Sequence, residues 1–131
     1  MVSAIAAVHV ALASGRVDGR VVLGRTAAAV EAVLGRPSAV ERYPVRRDLR
    51  FRGIEVIFGD GIHASAYVVP ADAPHVVRLR LRAAGLVEER RYRCDGRGCF
   101  GTFFTHDRAR RVIYGVSRGR PYLGEQAWPQ P

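Results

Sequence analysis

The sequence predicts an α+β domain in which two N-terminal helices pack on one face of a mainly antiparallel meander sheet. Three observations carry this expectation. The stretch from Leu23 to Pro37 has a helix start, an apolar stripe and a helix stop. After Pro37 the apolar spacing changes from helical to alternating, the pattern of half-buried strands. Glycine-containing turn pairs then punctuate the chain at short intervals, as antiparallel hairpins require.

Ile5, Val8 and Leu12 stand at helical spacing, so a first amphipathic helix is expected over Ser3 to Ser14, stopped by Gly15. This stretch is apolar but has no basic segment ahead of it, and His9 interrupts it, which argues against a secretory signal. Asp18-Gly19 is a turn pair, and Arg20 to Leu23 is a short strand or an extended lead-in. In the second helix Ala27, Val30, Val33 and Leu34 share one face. Thr26 can cap it, because the first helical N–H groups have no partner inside the helix. Gly35 can end it in a left-handed conformation, and Pro37 cannot continue it.

Strand candidates follow in order. Ser38 to Tyr43 is ended by Pro44; Leu49 and Phe51 alternate with Arg50 and Arg52; Ile54, Val56 and Phe58 alternate with Glu55 and Ile57. Gly59-Asp60-Gly61 is a hairpin signal, with a return strand from Ile62 to Val69. Val77, Leu79 and Leu81 alternate with Arg78, Arg80 and Arg82, which reads as a strand with a buried and a wet face. Leu86 to Cys94, Cys99 to Thr105 and Arg111 to Ser117 complete a sheet of about five to seven strands. The expected core is Val30, Val33, Leu34, Ile54, Val56, Phe58, Val77, Leu79 and Leu81. On length the chain is one domain over residues 1–120, with residues 121–131 as a tail. A two-fold repeat of helix plus sheet is conceivable but is not visible in the residues.

The 131 residues carry 21 basic side chains against 12 acidic ones, a formal net charge of +9, and every basic residue is arginine. Such an excess favours acidic partners: nucleic acid, anionic lipid or an acidic protein face. A genome rich in G and C accounts for arginine in place of lysine. No apolar run approaches the ~20 residues of a membrane span, and a cytoplasmic location with no membrane association is expected.

Leu23-Gly24, the short helix, Leu34-Gly35-Arg36-Pro37, the strand residues Phe51, Val56 and Phe58, and the Asp60-Gly61 turn make a recurring pattern. It is similar to that of small outer-membrane-assembly lipoprotein domains and of the β-lactamase-inhibitor-protein fold. It also resembles the single-domain immunity proteins of bacterial toxin systems. The resemblance covers about a third of the chain, implies a helix-plus-meander fold, and implies binding to another protein. The chain departs from the lipoproteins in having no lipobox cysteine near its start.

Candidate sites are few. Arg78, Arg80 and Arg82 would share one strand face, Arg91 and Arg93 another, and Arg50 and Arg52 lie at the sheet entry. Together with Tyr92 they would form a basic stripe able to fork onto carboxylates or phosphates. Cys94 and Cys99 bracket a turn. They can stay reduced, pair as a disulfide, or join His106 as metal ligands. The spacing matches no standard zinc pattern. Ser65 and Ser117 lack a nucleophile-elbow context, and no glycine-rich stretch forms a phosphate loop. No catalytic residue and no cofactor is therefore expected.

The leading expectation is a non-enzymatic protein-binding module: an immunity protein that neutralises a cognate toxin by occlusion, pairing arginines with an acidic face. A basic nucleic-acid or polyanion binder is the alternative. A small metal protein or enzyme using Cys94, Cys99 and His106 is the third.

Overall fold

Alternating residues between tight turns build one eight-stranded antiparallel sheet. The computed structural model describes residues 10–11, 16–17, 20–96 and 98–127. The elements in order are β1 (Val10–Ala11), β2 (Arg16–Val17), β3 (Arg20–Val21), α1 (Ala27–Leu34), β4 (Ala39–Arg42), β5 (Arg47–Phe51), β6 (Ile54–Phe58), β7 (Ala66–Pro70), α2 (Pro74–Ala83), β8 (Val87–Asp95), β9 (Gly98–Phe104), β10 (Arg110–Ser117) and β11 (Arg120–Ala127). Strands β1 to β3 pair in a small separate sheet, and the large sheet runs β4-β5-β6-β7-β11-β10-β9-β8.

This order corrects the expected architecture. No pair of N-terminal helices packs on the sheet. Of the helix expected over Ser3 to Ser14, the described part, Val10–Ala11, is a strand paired with Arg16–Val17; the rest lies outside the described residues. The second helix of the fold is α2, which the sequence reading took for a strand. Each helix is followed by four strands, and the last strand of each set, β7 and β11, pair antiparallel at the centre of the sheet. The chain is thus a topological two-fold repeat of one helix and four strands, although its residues do not repeat.

Helix α1 forms as its caps dictate. The Thr26 hydroxyl accepts from the Ala29 N–H at 3.4 Å, and Gly35, at φ 87°, donates its N–H to the Glu31 carbonyl. Val30 is fully buried against Leu49, Phe51, Ile54, Val56, Phe58 and Tyr67, with Val33 and Leu34 half-buried beside them. In α2, Pro74 occupies the first turn and Arg80 and Arg82 the last, placements that suit the free N–H groups and the helix dipole. Val77 and Leu81, four residues apart, are buried against Phe103, Val112 and Tyr114. Leu79, expected in the core, is 63% exposed. Six alternating residues fit a strand and a helix equally well, and here the i, i+4 pair decides.

The two cores lie on the same side of the sheet. Tyr67 of the first pairs in register with Glu125, and Glu125 with Val112 of the second. Glu125 is only 2% exposed. It accepts the Tyr67 hydroxyl hydrogen at 2.6 Å and stands 3.7 Å from the Arg110 guanidinium. Burial, then the Glu125 carboxylate, pushes the Tyr67 phenol far above its usual range. The stretch read as a tail, residues 121–131, is the body of β11 in its described part, Pro121–Ala127, flanked by β7 and β10. No helix among the described residues is long and apolar enough to cross a membrane.

Candidate functional site

Both helices occupy one face of the sheet, so the register decides what the other face presents. One row runs straight across it: Arg50, Glu55, Val68, Gly124, Ile113, Thr102 and Arg90, each opposite the next. The neighbouring row is Pro70, Tyr122, Gly115, Phe100 and Arg93. The middle of both rows is largely apolar; the first row is charged at both ends and the second at Arg93. Val68, Ile113, Phe100 and Tyr122 are half-buried.

Where these rows meet the end of the sheet they form an open groove of about 680 Å³. Val68, Pro70, Tyr122 and Phe100 line it, with Arg50 and Glu55 on one side and Asp95 and Arg120 on the other. Gly115 stands in register between the two aromatic residues, opposite both. A Cβ there would overlap the Cys99 carbonyl oxygen and crowd Phe100 at 3.0 Å. The Arg90 guanidinium stacks 3.8 Å from the Phe100 ring centroid, a cation–π contact that fixes the ring. Burial raises the Tyr122 phenol, so it stays neutral at ordinary pH.

Cys94 and Cys99 face one another across β8 and β9 and are joined as a disulfide. Cys99 lines the groove, so the bond ties the hairpin that forms one wall. With both sulfurs bonded to each other, Cys94 and Cys99 are not available here to join His106 as metal ligands, which need thiolates. Among the described residues no three metal-ligating side chains converge.

The expected basic stripe is dispersed. Arg78, Arg80 and Arg82 lie on α2, not on a strand. Arg78 forks onto Glu88 at 2.9 and 3.0 Å, which holds that carboxyl below its usual range. Arg80 pairs with Asp72 at 2.5 Å, while Arg82 is exposed on α2. Tyr92 stacks on Tyr114 under α2, at 5.7 Å between ring centroids, as a core residue. Arg91 is exposed on β8. Arg50 lines the groove but is engaged by Glu41 and Glu55 at 3.4 and 3.2 Å. Of the expected stripe, Arg93, opposite Phe100, and Arg52, in the β5–β6 turn, stay exposed and without an ion pair among the described residues at the groove end. Tyr122, Phe100 and Arg120 were missed. The alternation of Arg120, Tyr122 and Gly124 was the available signal, and Pro121, Gly124 and the buried Glu125 masked it.

Fold and groove together define a two-repeat antiparallel sheet protein, clad with helices on one face and open on the other. No family model, curated protein or solved structure matches this chain.

Proposed function

We propose that this chain is a non-enzymatic protein-binding module that blocks its partner by covering it with the helix-free face of the sheet. The observation that carries this reading is the apolar middle of that face, which no helix covers: Val68, Ile113, Tyr122 and Phe100, half-buried and not fully closed off from solvent. Contiguous apolar surface with a polar rim marks interaction sites, and tyrosine and arginine dominate their energetics. The partner implied by the sequence resemblance is a bacterial toxin whose activity is lost when its cleft is covered. The disulfide fits an oxidising compartment better than the cytoplasmic setting expected from sequence. The polyanion-binding reading keeps one observation in its favour, the net charge of +9.

The test uses the protein encoded beside this chain. Purified together, the two should form a complex in which amide exchange slows along β7, β11 and β10. Ile113→Arg, whose half-buried side chain faces outward, should abolish it without unfolding the chain. Protection confined to α1 and α2, or an unimpaired Ile113→Arg complex, overturns the reading.

A further inference from the structure

The charged residues that line the groove balance, Arg50 and Arg120 against Glu55 and Asp95, but more exposed arginines lie around it at this end of the sheet. Both carboxylates that line it are engaged, Glu55 with Arg50 and Asp95 with Arg90. Four exposed arginines at this end of the sheet, Arg52, Arg93, Arg118 and Arg120, have no ion pair among the described residues. Two of them belong to two-residue Arg-Gly hairpin turns, Arg52-Gly53 and Arg118-Gly119, which differ in backbone, since Arg118 has positive φ and Arg52 does not. In the second turn Arg118 has φ 52° and Gly119 φ 75°. A turn with both central residues at positive φ favours asparagine or glycine at the first position, and left-handed backbone disfavours a long side chain. The arginine there contradicts the turn's own preference.

The groove's shape limits its occupant. It crosses β6, β7, β11, β10 and β9, four strand spacings or roughly 19 Å. An extended chain covers that span with about six residues at ~3.3 Å each. Its floor is apolar at Val68, Pro70, Tyr122 and Phe100, its one lining charge without an ion pair among the described residues is Arg120, and Arg52, Arg93 and Arg118 stand beside it.

We propose that this groove holds an extended acidic segment of the partner protein, with one aromatic residue seated between Tyr122 and Phe100 and flanking carboxylates against Arg52, Arg93, Arg118 and Arg120. This deepens the protein-binding reading and rests on it. Guanidinium groups fork onto carboxylates, and an aromatic anchor in an apolar slot is the usual centre of such a contact. The engaged pairs Arg50–Glu55 and Arg90–Asp95 act as walls and do not bind the segment.

The experiment uses the whole chain and three synthetic heptapeptides, followed by calorimetry and amide shifts. The first has a central phenylalanine flanked by aspartates and glutamates. The second replaces the flanks by lysines, and the third replaces the phenylalanine by serine. The first should bind and move the amides of Val68, Phe100 and Tyr122. The other two should bind at least tenfold more weakly. Arg118→Asn, which suits the turn and removes the charge, should weaken the first peptide severalfold with melting temperature kept, and Arg120→Glu should weaken it further. Equal binding of the lysine or serine peptide, shifts elsewhere, no binding of any peptide, or tighter binding of a random oligonucleotide through the same arginines overturns the proposal. If the partner protein protects the middle of the sheet but not the groove, the protein-binding reading survives and this proposal fails.

Discussion

Glu125 is the residue on which the seam between the two repeats depends. Its carboxylate is buried on a central strand and held by the Tyr67 hydroxyl at 2.6 Å, with Arg110 at 3.7 Å. A buried charge that loses a partner costs its desolvation again. Tyr67→Phe keeps the ring in the core and deletes only the donor, so it should destabilise the fold by about 1.5–3 kcal/mol, measured by denaturant unfolding. A smaller loss than the Tyr67→Phe effect expected at an exposed site would show that Arg110 alone holds the carboxylate. Asp60 works at the surface. It accepts the backbone N–H groups of His63 and Ile62 at 2.7 and 2.8 Å and meets the His63 ring at 3.1 Å. These bonds, the His63 N–H first, lower its carboxyl from 3.8 to about 2. A group whose folded pKa is depressed contributes stability above its unfolded value and loses it as pH falls through the folded one. The turn from Gly59 to His63 should therefore hold at pH 4 and loosen toward pH 2. The amide shifts of Ile62 and His63 should titrate together in that window, and Asp60→Asn should remove the titration.

At the scale of elements, what was legible followed from local punctuation. Helix α1 was readable because Thr26, the apolar stripe and Gly35 all agree, and β5 and β6 because alternation is bounded by Arg52-Gly53 and Gly59-Asp60-Gly61. The strand reading of residues 77–82 failed because Leu79 completes an alternation that the fold does not use. Pro74, immediately before His75-Val76, was the better signal. Strand β11 was lost for the opposite reason: it sits between two neighbours, so its character comes from pairing, and Glu125 breaks its apolar pattern. The groove was half-legible through Arg50, Arg52 and Arg93, and illegible at Tyr122, whose partner Pro70 on β7 lies far away in sequence. The β8–β9 hairpin carries a testable consequence. Its register slips between Glu88 and Arg90 and again between Arg90 and Arg93, so the ladder is broken along the edge strand and the disulfide at Cys94–Cys99 holds the tip. Closing so short a loop stabilises by only roughly 2 kcal/mol, enough for a local effect. Reduction by a dithiol should speed amide exchange at Asp95, Gly96, Gly98 and Phe100 while β5 to β7 stay protected. Unchanged exchange at the tip would mean that the Arg90–Phe100 stack suffices.

For the whole molecule the question is which partner the nine excess charges serve. On the helix-free face, charges are largely matched: Arg50 with Glu41 and Glu55, Arg111 with Glu89, and Arg90 with Asp95. The free arginines sit at one end of the sheet and on scattered turns, without the continuous track that a phosphate backbone follows. A polyanion binder neutralising about six phosphates loses roughly a thousandfold in affinity between about 50 and 200 mM salt, because bound counterions are released. A protein partner seated on Val68, Ile113, Tyr122 and Phe100 gains most of its affinity from apolar burial, which salt does not screen, and loses only the share carried by exposed arginines. The cognate complex should therefore weaken by about tenfold or less over that range. Calorimetry at three salt concentrations measures it directly, and Arg120→Glu should flatten the slope. A steep slope approaching that of six released counterions, together with micromolar binding to random nucleic acid at physiological salt, would transfer the whole face to the polyanion reading.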